Sequence, residues 1–137
     1  MIIGVPKEIK NHEYRVGLTP ESVEELVKDG HKVIIETLSG MGIGASDTLY
    51  LEAGASVAKN AFEVFRDAQM IVKVKEPQAL ERKMLKQGQV LFTYLHLAPD
   101  RQQTIDLIES KAICIAYETV TDKLGGLPLL RPMSQVA

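Results

Sequence analysis

Four short apolar runs in this chain are each followed by side chains that could do chemistry. After MIIGV come Lys7, Glu8, Lys10, His12, Glu13 and Arg15; after MIVKV come Lys75 and Glu76; after VLFTYL comes His96; after AICIAY comes Glu118. An arginine offers a planar fork that matches a carboxylate, and a lysine offers a compact point charge. A histidine can take and return a proton near neutral pH. Cations from separate segments plus one imidazole suit a small anionic ligand undergoing proton transfer.

Each residue also has a plainer reading. Arg15 could be an ordinary surface arginine, since most arginines are exposed. Lys73 and Lys75 alternate with valines, so one of them could lie on the solvated face of an edge strand. A single histidine is more often structural than catalytic. What favours chemistry is position. In open α/β sheets ligands bind beyond the carboxyl ends of the strands, and every one of these residues follows a run that reads as a strand.

The elements that would position them alternate regularly. Strands are expected at 1–5, 32–36, 55–58, 70–74, 90–95 and 112–117, and helices at 19–30, 47–55, 61–68, 78–88 and 100–111. Thr19 and Pro20 open the first helix and Gly30 stops it, while Asp100 would cap the last. Such alternation implies right-handed crossovers, hence an α/β fold: an open, mostly parallel twisted sheet with helices on both faces, Rossmann-like or flavodoxin-like. The run VLFTYL suits a strand covered on both faces.

The totals fit one domain with an ordinary core, at 137 residues, 45% hydrophobic and 25% charged. A net charge of −2 gives no electrostatic case for nucleic acid or a membrane surface. No apolar run approaches a membrane span, and the start MIIGVPKEIK does not read as a signal peptide. The single cysteine, Cys114, cannot pair within the chain; a buried thiol in a reducing cytoplasm is expected.

The stretch SGMGIGAS (39–46) resembles a phosphate-cradling loop, but Gly40, Gly42 and Gly44 have the wrong spacing for the dinucleotide fingerprint. A tight connector is the better reading. His12, His31 and His96 show no metal-ligand spacing, so no metal is expected. The tail DKLGGLPLLRP (122–132) reads as a connector, and the last residues as a helix just begun, so the chain is expected to be part of something longer.

Three motifs in order then carry a resemblance: PKE…RVGLTP at the start, VKVKEP, and LFTYLHLAP. Together they resemble the alanine dehydrogenases and, more distantly, the proton-pumping nicotinamide nucleotide transhydrogenases, over the whole chain. The resemblance implies that Arg15 pairs with the carboxylate of pyruvate or L-alanine and that Lys75 contacts its carboxylate and carbonyl region. It implies that His96 is the acid/base residue, that Tyr94 and Met133 lie near the substrate, and that Ser134 contacts NAD. It further implies a soluble, cytoplasmic homohexamer catalysing NAD-dependent, reversible deamination of L-alanine to pyruvate and ammonium. Residues 1–130 would then be the N-terminal part of the substrate domain, and 131–137 the start of a linker helix to an NAD-binding domain absent from this chain. By that division the 137-residue chain alone would lack turnover and expose apolar surface. The alternatives are a fragment of a transhydrogenase NAD-binding subunit and a non-catalytic small-acid binding module; the intact KVKEP and YLHLAP speak against the former.

Overall fold

The structure, a computed structural model, describes residues 1–136, leaving out the side chains of Ser134 and Val136. The elements run β1 (Ile2–Val5), α1 (Pro20–Lys28), β2 (Lys32–Glu36), α2 (Asp47–Glu52), β3 (Ser56–Ala58), α3 (Ala61–Asp67) and β4 (Met70–Val72). Then follow α4 (Ala79–Arg82), β5 (Val90–Thr93), α5 (Arg101–Ser110), β6 (Ile113–Ala116) and α6 (Arg131–Val136), with 3-10 turns at Met41–Ile43 and Tyr117–Thr119. The six strands form one sheet in the order β3-β2-β1-β4-β5-β6, and every pairing is parallel. This is the doubly wound order of the Rossmann type rather than the flavodoxin type. The strand order reverses between β1 and β4, which are hydrogen-bonded through Ile3↔Met70 and Gly4↔Ile71.

The helix signals act as expected. Thr19 accepts a hydrogen bond from the Ser22 N–H at 3.2 Å, and Pro20 supplies the first helical turn of α1, where its missing N–H costs nothing. Asp100 caps α5 by accepting from the Gln103 N–H at 3.0 Å. Two apolar clusters form, one on each face of the sheet. Ile3, Val5, Val33, Ile35 and Val72 pack with Val23 of α1 and Tyr50 of α2. Ile71 and Leu91 pack on the other side with Val64 and Phe65 of α3 and Leu107 of α5. Fully burying such a side chain contributes about 1.5–3 kcal/mol.

The covering is uneven. Ile113 and Ile115 of β6 point away from the cluster that holds Cys114 and Ala116, and they are 54% and 40% exposed. One face of β6 is therefore left open, and Cys114 is half-buried rather than the buried core residue expected.

Two further corrections concern the segments around the site. The helix expected at 78–88 ends at Arg82. Its inward residue is Glu81, 1% exposed, while Leu80 is 68% exposed, so its amphipathic pattern is inverted. The strand expected at 70–74 ends at Val72, and β4 is a central strand; Lys73 is 1% exposed and faces no solvent.

Candidate functional site

The crevice where the strand order reverses is where a ligand is expected in this topology. The loop after β1 and the segment after β4 meet there through Glu8. Its Oε2 accepts from Lys73 Nζ at 2.7 Å, and its Oε1 accepts from the Lys75 backbone N–H at 2.8 Å. Glu81 brings a second carboxylate to within 3.0 Å of Lys73 Nζ, but its Oε2 is misaligned for a hydrogen bond. All three side chains are 1% exposed. Two carboxylates thus share one ammonium in a dry site, and burial pushes the Glu81 carboxyl above its ordinary pKa despite Lys73. Lys73 is a structural cation. Lys75, two residues on, is half-buried.

Arg15 lies in the loop after β1, and two glycines fix that loop in place. A Cβ on Gly17 would lie 2.6 Å from the Val72 carbonyl oxygen, so only glycine lets the loop approach β4 so closely. A Cβ on Gly42 would overlap the Tyr14 carbonyl. The glycine-rich connector at 39–46 is therefore a packing surface for the loop that carries Arg15, as its spacing suggested.

The Arg15 guanidinium is forked onto Glu13: Nε donates at 2.9 Å and Nη2 at 2.6 Å, and the Arg15 N–H reaches the same carboxylate at 3.0 Å. That fork holds the Glu13 carboxyl below its ordinary pKa, with the Lys75 charge adding to the effect, and raises that of Arg15. The Glu13 side chain is 5% exposed and that of Arg15 43%. The remaining nitrogen, Nη1, lies 3.3 Å from the Met133 sulfur.

Arg15, Ile43, Tyr94, Tyr117 and Met133 line a cleft of about 310 Å³ whose walls are mostly apolar. The Tyr94 hydroxyl donates to the Leu129 carbonyl at 2.6 Å, and its ring meets Tyr117 edge-on at 4.8 Å. Phe92 stacks edge-on against the same Tyr117 at 4.2 Å, and burial pushes the Tyr117 phenol well above its usual range. A larger hollow of about 400 Å³, lined by Met1, Gln69 and Lys86, lies at the amino ends of β1, β4 and β5 and gathers no comparable set of groups.

His96 stands apart from this cleft. It follows β5 by three residues, is exposed, and takes a left-handed backbone with φ of 46°. Glu118, just after β6, accepts from the Leu95 N–H at 2.8 Å and the His96 N–H at 3.4 Å. The structure thus brings Arg15, Tyr94 and Met133 together and sets Lys75 within electrostatic reach of Glu13. It leaves His96 at the neighbouring strand end. Ser134 lies in α6, but its side chain is outside the described residues.

Three glutamates stood among the strand-end candidates without an assigned partner: Glu8, Glu13 and Glu118 each hold the backbone N–H of one candidate residue, Lys75, Arg15 and His96 respectively. Only the Glu13–Arg15 spacing is local enough to have been suspected.

Residues 4–137 match the family model described as the alanine dehydrogenase/PNT N-terminal domain. This chain belongs to that family. It is 56% identical to an alanine dehydrogenase of Halomonas elongata and 54% identical to one of Methanococcus maripaludis, in each case over all of this chain and 37% of the relative. A solved L-alanine dehydrogenase superposes with a TM-score of 0.96 at 51% identity, over all of this chain and 38% of that one. A transhydrogenase from Sinorhizobium meliloti superposes at 0.82 with 27% identity, over 90% of this chain and 35% of that one. The N-terminal domain of this family thus accounts for the all-parallel sheet. The chain spans little more than a third of the length of these relatives.

Proposed function

We propose that this chain is the N-terminal, substrate-holding part of an NAD-dependent L-alanine dehydrogenase that interconverts L-alanine with pyruvate and ammonium. The observation that carries the reading is Arg15, fixed by two glycine contacts and opening with Tyr94 and Met133 on a small, mostly apolar cleft at the reversal point of the sheet. A 2-oxo acid with a methyl group matches a cation beside an apolar wall.

In this reading Arg15 binds the ligand carboxylate, and Lys75 polarises the carbonyl oxygen and stabilises negative charge developing on it. His96 moves the proton as water or ammonia adds to the carbonyl carbon and leaves again, a step that needs a group titrating near neutrality. Residues 131–137 begin the linker helix.

The residues described here do not fit a dinucleotide's phosphates. Gly42 is packed on Tyr14, and α2 opens with Asp47 already held by the Thr37 hydroxyl and the Leu38 N–H. We therefore assign NAD, the hydride acceptor, to a part of the protein outside this chain, with Ser134 as its contact from this side. A cytoplasmic homohexamer completes the proposal.

The test is NADH oxidation by the longer protein. Oxidation that requires pyruvate and ammonium together is expected. Hydride exchange between two nicotinamide nucleotides without either would support the transhydrogenase alternative, which the 27% identical neighbour and the shared family model favour.

A further inference from the structure

We propose that Glu13 selects the ligand by charge: held on Arg15, its carboxylate makes the site accept a 2-oxo acid with one carboxylate and reject a dicarboxylate of the same size. The inference rests on the function proposed above and adds to it the group that sets the substrate class.

Glu13 closes one edge of the guanidinium. Nε and one N–H of Nη2 are committed to its carboxylate, so an incoming carboxylate has to meet Arg15 through the free end of the fork, the second N–H of Nη2 and those of Nη1, on the side where Met133 lies 3.3 Å from Nη1. That side opens on the cleft walled by Val16, Ile43, Val74 and Met133.

The charge balance follows. Arg15 and Lys75 bring two positive charges to this corner and Glu13 returns one negative charge, leaving one to be matched by a ligand. The neighbouring cation Lys73 offers no free charge to a ligand, because Glu8 and Glu81 already enclose its ammonium. A first ligand carboxylate uses the surplus. A second would lie against the almost fully buried Glu13 side chain or an apolar wall, and neither can solvate it. Like charges brought into one site are a recognised means of excluding a wrong partner. Sequence neighbours Glu13 and Arg15 would thus form one device: the arginine attracts, and the glutamate counts charge.

Oxamate and oxalate give a direct probe. Both are planar, have the same number of heavy atoms and mimic pyruvate, and they differ by one negative charge at neutral pH. In the full-length enzyme, inhibition constants against pyruvate should favour oxamate over oxalate by about tenfold or more, the scale expected for like charges meeting in a poorly solvated site. Glu13→Gln keeps the side chain's shape and removes its charge, so the oxalate-to-oxamate ratio should fall by about the same factor. Because it is a ratio, any loss of active protein common to both inhibitors cancels.

An unchanged ratio in the variant overturns the proposal, and so does wild-type enzyme that binds oxalate as well as oxamate. Should the variant fail to assemble, the wild-type order decides, checked with a second pair: propionate should compete at lower concentration than malonate, and the reverse order rejects the role of Glu13. Wild-type enzyme without ammonium-dependent pyruvate turnover would instead sink the underlying function, so the two failures are distinguishable.

Discussion

Lys73 and Lys75 leave the same strand two residues apart and meet opposite fates. Lys73 turns into the protein, where Glu8 and Glu81 enclose its ammonium at 1% exposure. Lys75 is half-buried, gives its backbone N–H to Glu8, and acts by its charge on Glu13. One cation is neutralised within the protein and holds two loops together; the other has no carboxylate at salt-bridge distance among the described residues, which suits the ligand contact proposed for it. The glutamates divide in the same way. Burial raises the pKa of Glu81, whereas the Arg15 fork lowers that of Glu13. Residue type and spacing alone do not separate a structural charge from a working one; the partner does.

The sharpest way to break this comparison is the same substitution at both lysines. Lys73→Met strands two buried carboxylates, and removing one partner of a buried ion pair costs about 3–5 kcal/mol. Lys75→Met, with no buried counter-ion to strand, should change stability by less than about 0.5 kcal/mol. Urea denaturation of the full-length protein reads both. Equal losses would mean that the two lysines share one role.

Next in size is His96→Gln, which keeps a polar side chain but removes the proton carrier. General acid–base catalysis contributes about 10²–10⁴-fold, so kcat should fall by that order with little change in the apparent affinity for NADH. A variant with wild-type kcat would make the histidine structural.

Arg15→Lys should act on binding. It keeps the charge but gives up the fork that seats the guanidinium on Glu13, and a lost charge-assisted hydrogen bond is worth about 1.5–3 kcal/mol, or roughly 10- to 150-fold in the KM for pyruvate. A change confined to kcat would contradict the assignment.

The smallest effect separates the two glutamates by pH. The native state holds a proton on Glu81 above the range in which the unfolded chain has released it, near an ordinary value of 4.5. Native protein therefore binds more protons there, and the Glu81 contribution to stability declines as pH rises through that window. Glu13 behaves oppositely. Its depressed carboxyl stabilises the fold above the ordinary 4.5, and that contribution is lost as pH falls. Glu81→Gln should flatten the loss on the alkaline side. Stability curves of wild type and variant that stay parallel from about pH 4 to pH 7 would show that Glu81 is ionised in the folded protein.

The sheet was legible from the sequence because apolar runs alternate with capped helices, and the Thr19–Pro20 and Asp100 starts needed no tertiary information. The overrun at 78–88 has a physical cause. Periodicity presumes that apolar residues face inward, but α4 is turned by Glu81 reaching for Lys73, so Leu80 is left outside. Arg15 and Lys75 came forward as candidates because ligands gather at the carboxyl ends of strands in such sheets. Glu8 and Glu118 were not, since the backbone groups they hold are 67 and 23 residues away and nothing local marks the pairing. That one of Lys73 and Lys75 could lie on the solvated face of an edge strand fails for Lys73 for want of the strand order: only when β4 proves central does a lysine at its end demand a buried counter-ion.

The central position of β1 also has a consequence for synthesis. As the chain is made, β1 gains β2 as a neighbour by residue 36, but its other neighbour, β4, begins at Met70. Until then one side of this apolar strand is an open edge, the kind that invites pairing with another nascent chain. The ion pair between Glu8 and Lys73, 65 residues apart, forms only when that gap closes. It serves as a latch, fastened when the two halves of the sheet meet.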